Sequence, residues 1–154
     1  MKMGSISVLV IAVLVIGFGG HAYKKHQEKQ KNIEEAEQVL AELKSLEQPY
    51  KDFIEQSRLA SATPRVQLSP VVARMQDTLK VVAEMHSSGC AMGVQVTLRQ
   101  SIENMKDGFL SFMAHDDIKS DAQTSVATSQ ISEYQTSAEA CAIVMKKRLE
   151  DLQK

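Results

Sequence analysis

Two residue types in this chain carry chemistry on their own, and both are sparse: two cysteines, Cys90 and Cys141, and four histidines, His21, His26, His86 and His115. A metal centre needs its ligands grouped at short spacing. Here they are scattered. His21 and His26 flank the end of an apolar run, and His86 stands alone. His115 precedes Asp116 and Asp117, which could face a cation at a loop. The run from Asp116 to Asp121 nevertheless lacks the glycine and terminal glutamate of a calcium loop, so it reads as a solvated turn. Two cysteines are too few for a four-cysteine zinc site or a disulfide-dense scaffold. No G-x-S-x-G elbow, P-loop or glycine-rich dinucleotide turn occurs. Glu34-Glu35 falls on the polar face of a helix. Met75, Met85, Met92, Met105, Met113 and Met145 sit mostly at core spacing and read as packing rather than metal ligands. No catalytic, cofactor-binding or metal-binding residue is assigned, and no small-molecule substrate is suggested. The expected activity is non-enzymatic.

What remains is a question of which elements hold the two cysteines. Apolar residues make up 44% and charged residues 24% of the 154, which excludes disorder over most of the length. A formal net charge of −1 argues against a nucleic-acid binder. Seven glycines and three prolines supply too little turn chemistry for a barrel of many strands. Beyond residue 23 the apolar pattern is helical. Ile33, Ala36, Leu40, Leu43, Tyr50 and Ile54 form one stripe, widened by Val39, Leu46 and Phe53. That width suits a globular bundle better than a two-position coiled-coil seam. Residues 24–60 are therefore expected as an amphipathic helix, kinked or restarted at Pro49.

Residues 61–69, with Pro64, read as a linker, and residues 70–154 as a helical bundle. Ser69-Pro70 resembles an N-cap followed by proline at the first helical position. Val72, Met75, Leu79 and Val82 point inward on the helix that follows. Ser87-Ser88-Gly89 should end it, with Gly89 as a left-handed cap. A further helix is expected over 91–115, with Asp107-Gly108 a potential break. Ser120 and Gln123 match a capping box for the last helix. That helix turns Ala127, Ile131, Tyr134, Ala138, Cys141, Met145 and Leu152 inward. With the turn centred near Asp117, Cys90 lies 27 residues before it and Cys141 24 after it. Their heights along an antiparallel pair then differ by roughly 4.5 Å, less than one turn. A Cys90–Cys141 disulfide is expected, with two buried free thiols or a bridge between chains as alternatives. Such a bond persists only in an oxidising compartment.

The N-terminal segment bears on the same issue. Met3 to Tyr23 holds 21 residues without Lys, Arg, Asp or Glu. As a helix they span roughly 31 Å, the thickness of a bilayer's hydrocarbon core. Residues 1–23 are expected to be a single-pass transmembrane anchor. The rival is a signal peptide with Lys2, an apolar core from Ile6 to Ile16, and cleavage at Ala22 after Gly20-His21-Ala22. Lys24, Lys25, Lys29 and Lys31 oppose export and favour the uncleaved anchor. Read alone, they also place the C-terminal part in the cytoplasm, whereas the cysteine pair favours the periplasm.

The run Ala60-Ser61-Ala62-Thr63-Pro64-Arg65-Val66-Gln67-Leu68-Ser69 is followed by Val72-Ala73-Arg74-Met75-Gln76. Cys90, Leu98, Met105 and Gly108-Phe109-Leu110-Ser111-Phe112-Met113 come after. This resembles uncharacterised bacterial exported or lipid-anchored helical proteins with a T-P-R-x-x-L segment and one cysteine before F-x-x-F-M. The resemblance covers somewhat over a third of the chain, implies no activity, and favours export. No cysteine directly follows the apolar segment, so a lipid anchor is not expected here. The plan of a short N-tail, one span and a helical part also resembles phage inner-membrane spanin subunits, in architecture only.

The expectation is an all-α chain: a transmembrane helix, then an antiparallel bundle of three to four helices. Its role is a module of the bacterial inner membrane that binds a protein or envelope component or self-associates. A spanin-like lysis or envelope-bridging subunit is the alternative.

Overall fold

The structure, a computed structural model, describes the backbone from Ser5 and the side chains from Tyr23 to Lys154. It contains α1 (Ser5–Ser61), α2 (Ser69–Glu84), α3 (Gly89–Met113) and α4 (Asp117–Gln153), with a single 3-10 turn at Arg65–Gln67. No strand occurs among the described residues. Successive helices run antiparallel, and α4 returns alongside α1, where Tyr50 stacks on Tyr134 and Arg148 reaches Asn32. Among the described residues no helix is long and apolar enough to cross a membrane. The apolar run from Met3 to Tyr23 lies outside the residues whose side chains are described, apart from Tyr23 itself, which is exposed.

A regular spacing runs through the core. Val39, Leu46, Phe53 and Ala60 on α1 are buried at steps of seven. So are Leu68, Met75 and Val82 at the start of and along α2, Ala91, Leu98 and Met105 on α3, and Ser120, Ala127, Tyr134 and Cys141 on α4. Seven-residue spacing is what nearly antiparallel helices need to keep one seam facing its partners over several turns. The stripe is wide as expected: Ala36, Val71, Val72, Val94, Ile102 and Phe109 are buried beside these positions, and Leu43 and Tyr50 pack against the core. Within it the weighting is reversed: Ile54 of the expected main stripe is half-buried, while Leu46 and Phe53, expected to widen it, are fully buried. Residues 39–60 and 68–145 share this one core.

Several local expectations are corrected by distant partners. Pro49 neither breaks nor restarts α1, which is helical on both sides of it. Its missing N–H costs one bond, while the residue itself is buried on the side facing α2. Leu68 rather than Ser69 is the N-cap of α2, with Pro70 still in the first turn. α2 ends at Glu84, before the expected cap. Its last carbonyls are satisfied from α3: Gln95 Nε2 donates to Val82 O at 2.7 Å and to Met85 O at 2.8 Å. Gly89 does adopt a left-handed φ of +50°, but it opens α3 instead of closing α2. The N-cap of α4 is Asp116, whose side chain accepts from Lys119 N–H at 3.1 Å. Ser120 is buried inside α4, and Gln123 accepts from the Ser111 hydroxyl at 2.8 Å rather than closing a capping box.

Asp107-Gly108 is no break either, for α3 runs through it. Gly108 is where α3 and α4 come closest: a Cβ there would lie 2.6 Å from Thr124 Cγ2 and 3.3 Å from two backbone atoms of α4. Thr124 cannot swing away freely, because its hydroxyl donates to Ser120 O at 2.9 Å. Gly93, on the same helix, has nothing within 4 Å of the corresponding position. The two glycines should therefore respond oppositely to alanine. Gly93→Ala should stabilise by about 0.8–1 kcal/mol through helix propensity. Gly108→Ala adds an overpacking cost of about 1–3 kcal/mol that exceeds the same gain. Denaturant midpoints of the two variants, moving in opposite directions, check this.

Candidate functional site

The two cysteines meet. Counted from His115 in the α3–α4 turn, Cys90 is 25 residues before and Cys141 26 after, so the antiparallel helices bring them level. Their Cα atoms are 5.8 Å apart and the sulfurs are joined, within the range that disulfide geometry demands. The two ends differ in surroundings. Cys141 belongs to the buried seam, whereas Cys90 is exposed.

The disulfide floors one end of an open groove of about 510 Å³ between α3 and α4. Gly93, Thr97, Ser137 and Ala140 make it wide by being small, and Val94, Val144 and Met145 make it apolar. Val144, 56% exposed, stands on its wall. Exposed single apolar side chains are ordinary, but this one lies on an apolar concavity beside Val94 and Met145. Glu133 is its one acidic wall. With a single ionisable side chain and no nucleophile paired to a base, this lining offers shape and apolar surface rather than reactivity.

A second constellation lies at the opposite end of the bundle. His115 has a positive φ of 63° and closes α3, with His115 N–H donating to Phe112 O and Asp116 N–H to Ser111 O. That pair of bonds is the Schellman pattern, which usually employs glycine at the left-handed position. Arg65 secures it from the other side of the loop. Its guanidinium lies 3.9 Å from the Phe112 ring centroid, donates to Asp117 Oδ1 at 2.6 Å and contacts His115 Nδ1. The expected carboxylate pair is therefore split: Asp116 caps α4 and Asp117 pairs with Arg65. Among the described residues, no group of three or more His, Cys, Asp or Glu side chains is placed to hold a metal ion. His86 is exposed at the α2–α3 loop and His26 on α1, far from each other along the bundle.

No protein-family model, curated protein or solved structure matches the chain.

Two further groups tie the groove end together. Glu42 of α1 accepts from Ser88 N–H at 2.7 Å and from the Ser88 hydroxyl at 2.9 Å, while Gln38 donates to its other oxygen at 2.8 Å. Burial raises the Glu42 carboxyl, but these donors outweigh it and hold the group below the ordinary carboxylate value. A carboxylate from α1 thus sits at the N-terminus of α3, where the helix dipole favours negative charge. Tyr134 stacks on Tyr50 with ring centroids 4.7 Å apart. Burial first, then the nearby Tyr50 and Glu47 charges, push the Tyr134 hydroxyl up to about 12 from its ordinary 10.0.

The Tyr134 shift has a signed consequence. A group whose folded value lies above its unfolded one stabilises the fold below the unfolded value and loses that contribution as pH rises through the folded one. Stability should hold up to about pH 10 and decline between about 10 and 12. In a tyrosinate absorbance titration, Tyr134 should contribute a step near pH 12, and Tyr134→Phe should remove that step.

Sequence reasoning assigned no role to Arg65, Glu42, Gln95 or Gly93. Arg65 stood inside the quoted T-P-R run, yet its partners are about 50 residues away. Glu42 looks like any exposed helical acid until the α2–α3 loop is folded against it.

Proposed function

We propose that this chain is a membrane-tethered, non-enzymatic helical module that presents the α3–α4 groove to a protein or envelope component. The observation that carries the tether is the run of 21 uncharged residues, Met3 to Tyr23, followed by four lysines within residues 24–31. Its fit to a bilayer is one of length and composition. The helix that bears this run continues without a break into the bundle, which suits a stalk that sets the groove at a fixed height. The oxidising compartment that the Cys90–Cys141 bond requires supports a periplasmic bundle on the inner membrane. The lysines following the apolar run argue for the opposite orientation. A long translocated domain is less constrained by such charges than a short loop.

The spanin-like reading has less to support it. A bridging subunit needs an extended rod that associates through its seam. In α1 the seam residues Leu46 and Phe53 are fully buried by helices of the same chain.

Full-length protein should stay in the membrane fraction through carbonate washing and run at its uncleaved mass. An N-terminus mapped to Tyr23 would replace the tether with a secreted bundle. A photo-crosslinker at Val144, but not at exposed Ile118 near the other end, should capture one discrete partner band in cells. Equal labelling from both positions would remove the groove from the proposal.

A further inference from the structure

The apolar run and its lysines account for only half of the positive charge at one end of the bundle. α4 brings the rest. Arg148 donates to Asn32 Oδ1 at 2.7 Å and reaches Glu35 at 3.5 Å, which fixes the register of α4 on α1. Six residues farther along α4 is Lys154, and six residues back along α1 is His26. Lys154 therefore arrives only about 4.5 Å short of the level of Tyr23, where the apolar run ends. Lys146 and Lys147 lie about 15 Å from the level of Tyr23, roughly two Debye lengths at physiological salt, so their pull is felt chiefly at low salt.

The charge of the whole molecule is divided along the same axis. Residues 24–31 and 146–154 together carry +5, and residues 32–145 carry −7. Lys24, Lys25, Lys29, Lys146 and Lys147 have no carboxylate within 4.0 Å among the described residues. The far end holds Asp116, Asp117 and Asp121, with Asp117 engaged by Arg65. Such a body is attracted to a negative surface by one end and repelled from it along its length.

We propose that the C-terminal turns of α4 and the segment Lys24–Lys31 form one composite surface for anionic phospholipid headgroups, which holds the bundle end-on to the bilayer. This rests on the reading of Met3–Tyr23 as a membrane segment. Cations near an anionic leaflet contribute additively and are screened by salt. The α4 lysines matter because they stand on a second helix, beside the stalk and off its axis. A stalk alone lets the bundle lean; a second charged foot restrains it.

The test uses the full-length chain in nanodiscs of neutral phosphatidylcholine, or of phosphatidylcholine mixed with phosphatidylglycerol, read by hydrogen exchange over residues 143–153. In anionic discs at low salt, exchange there should slow by about fivefold or more, what a single well-placed cation supplies. High salt should abolish the difference. So should combined Lys146→Gln, Lys147→Gln and Lys154→Gln, which leaves Arg148 and its hold on α1 in place. Equal exchange in both lipids, or protection confined to residues 24–31, overturns the proposal. A chain that enters neither kind of disc overturns the membrane reading itself, and this inference with it. Because the salt arm needs no variant, a triple substitution that loosened α4 would still leave a decisive comparison.

Discussion

Replacing Cys90 by serine should lower the unfolding free energy by about 4 kcal/mol, less any strain that the bond holds in the native state. The bond joins positions 51 apart in sequence, and closing a loop of that size removes much of the unfolded chain's freedom. Because Cys90 is exposed, its serine leaves no unsatisfied buried group and reports the loss of the cross-link alone. Cys141 is 4% exposed, so Cys141→Ser also buries a hydroxyl and should cost somewhat more, whereas Cys141→Ala should approach the Cys90→Ser value. The double variant should be no worse than the worse single one, since the second change has no bond left to remove. Urea unfolding with and without reductant measures all of this. If unreduced native protein takes up two alkyl groups per chain, the bond does not form and the periplasmic assignment loses its main support.

The second large effect is expected in the seam of α1. Phe53 is fully buried at the step-of-seven position, with Leu46 one step before it and Ala60 one step after. Phe53→Ala removes an aromatic ring where no neighbour can collapse into the space without leaving its own seam position. The expected loss is about 3–5 kcal/mol, transfer and cavity terms together. Ile118→Ala, at 88% exposure, is the matched control and should change stability by less than about 0.5 kcal/mol. Domains of this size have about 5–15 kcal/mol in total. Phe53→Ala combined with Cys90→Ser should therefore remove about 7–9 kcal/mol, more than half of the stability of most such domains, and lower the melting temperature far below that of either single variant. A thermal melt showing the combined variant still cooperative and close to the parent would mean that α1 contributes far less to the core than its burial indicates.

What could be read from residues alone was the part governed by short-range spacing. The helical period of Val72, Met75, Leu79 and Val82, and of Leu98, Ile102, Met105 and Phe109, located α2 and α3 to within a few residues. Counting from the Asp116-Asp117 turn placed Cys90 opposite Cys141. The helix ends were mostly misassigned, and for one reason. The groups that satisfy them come from elsewhere in the chain: Gln95 for the end of α2, Glu42 for the start of α3, Arg65 for the α3–α4 corner. A capping motif states what a residue is able to do locally, and a stronger distant partner overrides it. Gly108 failed differently. Its sequence neighbourhood is that of a turn, and only the approach of Thr124 gives the missing side chain its meaning. The groove was invisible because it is defined by what Gly93, Ser137 and Ala140 lack.

Because α1 is one uninterrupted helix from the apolar run into the seam, residue number acts as an angle. Each residue between Tyr23 and Asn32 turns everything after it by about 100° and advances it by about 1.5 Å. Removing one residue there would swing the α3–α4 groove more than a quarter turn about the helix axis while barely altering its height. Removing seven would bring it back to within about 20° of its first bearing, about 10 Å lower. The compass direction in which the groove faces is thus written into the length of this short stretch.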